Sequence, residues 1–324
     1  MSASSATPSP QLIIPFAACS GDYWLAAVKS LPAGSLKNLG ALLQGMKLVE
    51  TSQGEALSLS TPHERILAKA LGLNDKVDGL IAWAALQASG QGLGAGKAWA
   101  FMTPCHWSMG REHATMTDPA ALGLSEEDSK TLLAAMQPYF ETEGVTLHYL
   151  EPGRWLAEGE LFRTLPTASL DRVLGRNVDL WLPGTDTAAS LRRLQNEMQM
   201  LLYTHEVNEA RAENRLQPVN SFWLSGTGAL QNDTQEQPAG ITMPRTLAQA
   251  AFNDDWAAYL KAWEGIDAGE VARFLALQHA GTAVRLSLCG ESNAQTFETS
   301  APGFFNRISN AFSQPKPLDV LVQL

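Results

Sequence analysis

Patterns typical of buried strands alternate with helical patterns at both ends of the sequence. Residues 12–16 form a short apolar run closed by small and turn-forming residues, which predicts a buried strand. Leucines at helical spacing follow in residues 35–43. Later, residues 187–203 carry an apolar stripe of leucines and Met198 opposite a polar face, and residues 219–224 read as a second buried strand. The alternation predicts an α/β fold.

The middle of the sequence has a different pattern. Residues 98–184 contain short strand-like runs separated by turn residues and a single helix beginning at Ser125, so we expect a small inserted α+β domain there. We therefore assign residues 11–97 and 185–324 to an α/β core domain, with a final strand at residues 320–324. Residues 1–10 are rich in Ser, Ala, Thr and Pro and are expected to form a disordered tail.

Composition excludes several classes of function. The chain has 324 residues, and its 33 acidic against 23 basic residues give a formal charge of -10, with no cluster of basic residues for nucleic acid. No apolar run approaches the roughly 20 residues that span a membrane, and no signal peptide is recognisable. The three cysteines are widely spaced, which argues against a disulfide framework. We expect a soluble, cytoplasmic protein that binds neither nucleic acid nor membranes.

Motifs for nucleotides, metals and nucleophiles are incomplete. The glycine-rich residues 90–97 have Gln91 and Ala98 where a phosphate loop needs Gly and Ser or Thr. Trp223 replaces the first Gly of a nucleophile elbow before Ser225. The segment after His205 lacks the second histidine of a zinc helix, and Cys105 with His106 has no second cysteine pair. We therefore predict no cofactor and no metal ligands from the motifs.

A set of polar residues lies where a predicted helix is followed by a predicted buried strand. Such residues serve either as local caps or as a binding site, and Ser225 and Thr227 with the glycines beside them could form a nest for an anion at the strand end. The candidate ligand-binding residues are His205, Asn208, Arg211, Asn220, Ser225 and Thr227. Both interpretations, a structural network and a ligand site, remain open at this point.

Four segments carry a resemblance to known proteins. TPCHW at 103–107, TASLDR at 167–172, LRRLQNEMQMLLY at 191–203 and VNSFWLSGTG at 219–228 resemble the RpfE-type regulatory proteins of proteobacteria, often labelled phosphoglycerate mutase. The spacing of His205, Asn208 and Arg211 is more distantly similar to archaeal-type cofactor-independent phosphoglycerate mutases. The resemblance implies an alkaline-phosphatase-like α/β core sheet flanked by helices, with a small inserted α+β domain.

The same resemblance predicts a degenerate active site. Those mutases place Asp-Gly directly after the first strand to hold a metal, use a phosphorylated Ser, and take Asp and His ligands from the C-terminal half. Here the first strand runs into Pro15 and Phe16, no Asp occurs before Asp22, and His279 is the only histidine after His205. We therefore expect a regulatory or ligand-binding protein that has lost phosphoryl transfer, with a small phosphorylated or anionic ligand or a protein partner.

Two alternatives remain. The protein could be an active metal-dependent mutase or phosphatase with a rearranged site, in which case Mn or Mg is the cofactor. The candidate residues for that site are Ser20 and Asp22, with Cys19, Asp254 and Asp255 as further possibilities. The third hypothesis is a purely structural or partner-binding protein, for which the polar residues at the strand end would not matter.

Overall fold

The computed structural model describes residues 9–94, 96–184, 188–230, 240–300 and 316–324. The chain divides into two compact units, which we call unit 1 (Met1–Ala56, Thr61–Leu71 and Glu236–Leu324) and unit 2 (Leu57–Ser60 and Gly72–Gln235). The described strands are β1 (Gln11–Ile14), β2 (Met46–Ser52), β3 (Ala98–Cys105), β4 (Trp107–Met109), β5 (Ala114–Met116), β6 (Thr146–Glu151), β7 (Arg154–Glu158), β8 (Ser221–Ala229), β9 (Ile241–Thr242), β10 (Arg285–Cys289) and β11 (Ala294–Thr299).

The described α-helices are interspersed among these strands along the chain. They are α1 (Asp22–Lys29), α2 (Lys37–Gln44), α3 (Pro62–Ala70), α4 (Trp83–Gly90), α5 (Glu126–Glu141), α6 (Leu170–Val173), α7 (Ala188–Tyr203), α8 (Glu206–Glu213), α9 (Thr246–Phe252), α10 (Trp256–Ile266), α11 (Ala272–His279) and α12 (Pro317–Leu321). A π-helical segment, Asp267–Val271, joins α10 to α11. In the described part of the chain, no helix combines the length and the apolar character that crossing a membrane requires.

Unit 1 contains a mixed five-stranded sheet in the order β2-β11-β10-β1-β9. Strand β1 runs parallel to β10 and β9, whereas β11 is antiparallel to β10 and β2. Successive residues of β1 face opposite sides of the sheet. Leu12 and Ile14 belong to the core that α1, α2, α10 and α11 cover, whereas Ile13 packs with Ile66 and Leu67 of α3. Burial on both faces explains why Leu12, Ile13 and Ile14 are all apolar.

Unit 2 contains an antiparallel four-stranded sheet in the order β6-β7-β3-β8 and a small β4-β5 hairpin. Apolar residues of α5 and α7, among them Met136 and Leu194, pack with Met102 and Phe222 of the sheet. Alanines of α4 pack with Trp99 in a separate cluster. The mixed α/β fold with helices flanking the sheets, expected from the sequence, is confirmed.

The division into units differs from the predicted domain boundaries near residues 97 and 184. Strand β8 pairs with β3, with Met102 opposite Leu224, and α7 packs into the same core as α5. Residues 72–97 and 185–235, which we assigned to the core domain, therefore belong to unit 2. A pairing between strands more than 100 residues apart leaves no local signal at a boundary.

Two smaller predictions concern the termini. The final strand predicted at residues 320–324 is wrong, because Pro317–Leu321 forms a helix with Val320 and Leu321 buried. Most of the predicted disordered tail, residues 1–8, lies outside the described residues. At its end, the carbonyl oxygen of Pro10 accepts a hydrogen bond from the backbone N–H of Arg285, which ties Pro10 to the start of β10.

Candidate functional site

The loop after β1 is where the sequence placed the candidate catalytic residues. It turns sharply at Phe16, whose φ of 52° is in the left-handed region. Phe16, Ala17, Ala18 and Cys19 are all buried in the core of unit 1. The N–H of Ala17 donates to the carbonyl oxygen of Cys289, at 2.7 Å. The first half of this loop is therefore filled with apolar side chains and held by backbone hydrogen bonds.

Ser20 and Glu291 meet at the edge of the sheet. The backbone N–H and the hydroxyl of Ser20 both contact a carboxylate oxygen of Glu291. The contact is possible because β1 and β10 are parallel neighbours, so the loops that follow them leave the same edge. Asp22 is exposed in the first turn of α1. The candidate serine therefore has a carboxylate beside it, but that carboxylate comes from the loop after β10 and was not identified in the sequence.

Three further polar residues near the loop after β1 were not identified as candidates from the sequence. The ring of His63 lies 5.9 Å from the ring of Phe16, and its Nε2 is 3.1 Å from Thr61 Oγ1 and 3.4 Å from Arg245 Nη1. Thr61 also caps α3. The capping box of Thr61 and Glu64 is a local pattern, but the two-residue strand β9 that precedes Arg245 is too short to leave one.

Few of the described side chains are suited to bind a metal ion or to act as a nucleophilic thiolate. Across the residues that the structure describes, no three or more His, Cys, Asp or Glu side chains are grouped so that they could hold a metal ion. Asp255 instead caps α10, where its Oδ1 accepts the N–H of Ala258. The three cysteines are free and buried. Burial raises the pKa of the Cys105 and Cys289 thiols well above their usual range, which disfavours a nucleophilic thiolate.

Asn208 connects the end of α7 to the start of β8 in unit 2. Its Nδ2 donates to the carbonyl oxygens of Leu202, at 2.8 Å, and Val219, at 2.7 Å. Its Oδ1 accepts the backbone N–H of Val219, at 2.8 Å. Beside it, Nδ1 of His205 accepts the N–H of Val207 and caps α8. These two side chains therefore hold the backbone around the helix-to-strand connection.

Arg211 is buried, with only 2% of its surface exposed. Its Nε donates to the carbonyl oxygen of Gln217, its Nη2 donates to that of Leu122, and its Nη1 lies 3.9 Å from an oxygen of Asp128. The guanidinium group thus binds backbone carbonyls of two loops. It does not present its charge at the surface, where an anionic ligand would need it.

Asn220 fixes the start of the β4-β5 hairpin. Its Oδ1 accepts the backbone N–H of Trp107, at 2.7 Å, and its Nδ2 donates to the carbonyl oxygen of the same residue, at 2.9 Å. Thr227 lies further along β8, where its hydroxyl contacts the carbonyl oxygen of Leu165, at 2.6 Å, and the hydroxyl of Thr167. Ser225 is buried opposite Phe101. The structure thus places the six candidates along the connection and β8, and does not gather them around one anion nest.

A cleft with a volume of about 590 Å³ lies beside the connection between α7 and β8. Asn208 and Asn220 line it, but the other four candidates do not. Met109 and Tyr203 at this cleft are among the most exposed apolar residues described, with 79% and 84% of their surfaces accessible. The apolar residues of its wall are Trp107, Met109, Leu202, Tyr203, Ala212 and Pro218. Sequence patterns did not identify this cleft, because β4 and α7 are brought together only by the fold.

Comparison with known proteins finds no match by sequence and only remote matches among solved structures. The sequence matches no family model and no curated protein. A cofactor-independent phosphoglycerate mutase from Thermoplasma acidophilum DSM 1728 is 14% identical, with a TM-score of 0.35 over 97% of this chain and 99% of that one. The PH0037 protein from Pyrococcus horikoshii is 10% identical, with a TM-score of 0.48 over 91% of this chain and 88% of that one.

Proposed function

We propose that this chain is a cytoplasmic, phosphoglycerate-mutase-like protein of the RpfE type that does not perform metal-dependent phosphoryl transfer and acts as a ligand-binding or regulatory protein. The loop after β1 carries this proposal. The resemblance implies a metal-binding Asp-Gly at this place, but the chain has Pro15 and Phe16, followed by three further buried residues.

The side chains in the first half of this loop, residues 15–19, do not fit a metal ion. The ring of Phe16 packs edge-on against Phe252, with ring centroids 4.9 Å apart, and the alanines after it offer no oxygen ligand. Manganese and magnesium bind oxygen ligands, above all carboxylates. In a two-metal site the ions stabilise both the attacking and the leaving oxygen, and losing them costs on the order of several kcal/mol of transition-state stabilisation. We therefore derive no step through a metal at this loop.

The cleft of unit 2 supports the ligand-binding part of the proposal. Small-molecule sites are concave, have volumes of roughly 300–1,000 Å³ and are lined mainly by apolar and aromatic residues with a few polar groups. The cleft of about 590 Å³ has this composition. The cytoplasmic location is supported by the three free, buried thiols, which suit a reducing compartment.

One observation favours the alternative of a rearranged phosphomutase or phosphatase site. The hydroxyl of Ser20 contacts the carboxylate of Glu291 at the edge where parallel strands end. A carboxylate beside a hydroxyl can accept its proton during nucleophilic attack. This alternative requires Mn or Mg and depends on Ser20, with Asp22 as a further candidate.

The test is an assay of 3-phosphoglycerate conversion to 2-phosphoglycerate and of phosphate release. The purified protein is assayed with Mn or Mg, with a chelator, and as the Ser20→Ala and Asp22→Ala variants, beside an active cofactor-independent mutase as positive control. We expect no turnover by this protein in any condition. Turnover that the chelator and Ser20→Ala both abolish would overturn the proposal and establish the alternative.

A further inference from the structure

The two asparagine amides in the wall of the cleft are left with more free acceptors than donors, whereas Gln199 and the hydroxyl of Tyr203 in the same wall offer both. An Asn amide has two N–H donors and one oxygen with two lone pairs. Both N–H groups of Asn208 are used, by Leu202 and Val219, whereas its oxygen accepts one bond. Asn220 uses one N–H and one lone pair on Trp107. Together the two amides can still offer a ligand two lone pairs but only one donor.

Glu209 adds a negative charge to this wall. It is exposed on α8 and is the one charged residue among the described residues that line the cleft. A carboxylate is an acceptor only. Arg211, which the sequence suggested for an anion, is buried on the carbonyl oxygens of Gln217 and Leu122 and does not line the cleft.

The aromatic residues of the wall favour a ligand that carries a positive charge. Trp107 and Tyr203 both line the cleft. The faces of aromatic rings carry negative potential and attract cations, an effect worth roughly 0.5–1 kcal/mol at exposed sites. An apolar body can contact Met109 and Pro218, which line the same cleft and have accessible surface. The shape of the cleft and the charge of Glu209 thus favour one ligand class.

We infer that the cleft binds a small organic cation, namely a primary ammonium group carried on an aromatic or aliphatic body. The inference rests on the proposed ligand-binding function and deepens it, because it replaces the expected phosphorylated or anionic ligand with a cationic one. The ammonium group would donate to Glu209 and to the free lone pairs of Asn208 and Asn220, while the body occupies the apolar part of the wall.

Three probes with the same phenyl body and different charge test this inference. Ligand-observed NMR titrations at low salt measure the dissociation constants of 2-phenylethylammonium, 2-phenylethanol and phenylacetate. We expect the ammonium to bind most tightly and phenylacetate at least about tenfold more weakly. The preference for the ammonium over the alcohol should shrink at 0.5 M salt, because exposed charges are screened.

Two variants on the same helix separate a local effect from the net charge of the protein. Glu209→Gln should weaken ammonium binding about threefold and leave 2-phenylethanol unchanged, as expected for an exposed ion pair. Glu206→Gln makes the same change of charge at an exposed residue outside the cleft and should have no effect. Tyr203→Ala should weaken binding of both the ammonium and the alcohol.

Several outcomes would overturn the inference, and they are distinguishable from failure of the proposed function. If phenylacetate binds as tightly as the ammonium, and Tyr203→Ala abolishes its binding, the cleft binds ligands but not by positive charge. Equal effects of Glu206→Gln and Glu209→Gln, or no binding of any probe, would also reject a cation site here. The mutase assay decides the loss of phosphoryl transfer independently of these titrations.

Discussion

The phenolic oxygen of Tyr259 lies 2.7 Å from the carbonyl oxygen of Phe16 and 3.0 Å from that of Ala17. Tyr259 is completely buried, and its oxygen also accepts the indole N–H of Trp24, at 3.2 Å. A side chain of α10 thus holds the backbone of the loop in which the mutase-like metal site would be expected. This relationship connects the stability of unit 1 to the conformation of the loop, and it can be tested directly.

Tyr259→Phe should lower the free energy of unfolding by about 1–3 kcal/mol, because it leaves buried polar groups without their partner. The measurement is urea denaturation followed by circular dichroism. Tyr23→Phe is the matched control, since Tyr23 has 81% of its surface exposed, and it should have no effect. Equal stability of the wild type and Tyr259→Phe would show that the hydroxyl does not hold the loop.

Asn208→Ala tests whether this residue is structural or binds a ligand. The variant loses three hydrogen bonds to the backbone of Leu202 and Val219, so we expect destabilisation of about 3 kcal/mol or more. Asn196→Ala, at an exposed position of α7, is the control and should be neutral. Weaker probe binding by Asn208→Ala at unchanged stability would instead support a direct ligand role.

Local signals in the sequence were sufficient to predict helices α5 and α7. The apolar stripe through Leu194 and Met198 predicted the helix observed as Ala188–Tyr203, and Ser125 caps α5 as predicted by accepting the N–H of Asp128. The error at residues 320–324 arose because a short apolar run has no decisive period. Helix caps and stripes are properties of neighbouring residues, so one sequence is enough to recognise them.

The site was less predictable, because its parts come from distant segments. Ser20 was a candidate, but its partner Glu291 lies 271 positions away. The polar residues near Asn208 were proposed from a local pattern, whereas the cleft beside them depends on Trp107, more than 90 residues earlier. Which acceptors remain free is a property of the folded hydrogen-bond network, and no spacing in the sequence encodes it.

Gly226 is expected to be intolerant of substitution. Its φ of +62° is in the left-handed region, and an added Cβ would lie 3.0 Å from the ring of Phe101 and from Cβ of Trp83. Gly226→Ala should therefore lower the free energy of unfolding by about 1 kcal/mol or more, from backbone strain and close contact together. Gly144→Ala is the comparison, because it has a similar φ but open space around it. A larger effect at Gly144 than at Gly226 would contradict the packing argument.

Asp267 should make the stability of unit 1 depend on pH. Its carboxylate accepts the N–H groups of Leu39, at 2.8 Å, and Asn38, at 3.2 Å, in the first turn of α2. Burial raises the pKa of Asp267, and the hydrogen bonds from Leu39 and Asn38 only partly oppose this. A carboxyl whose pKa is higher in the folded than in the unfolded state stabilises the fold fully below the unfolded value, about 3.9, and loses this contribution as the pH rises through the folded pKa.

Asp267→Asn removes this titration and retains one acceptor oxygen at the same place. Urea denaturation of both proteins at several values between pH 3 and pH 7 gives the difference in their free energies of unfolding. We expect the wild type to lose stability relative to Asp267→Asn as the pH rises from about 4, and the difference to become constant above the folded pKa. A difference that grows in favour of the wild type with rising pH would mean that the hydrogen bonds from Leu39 and Asn38 outweigh burial.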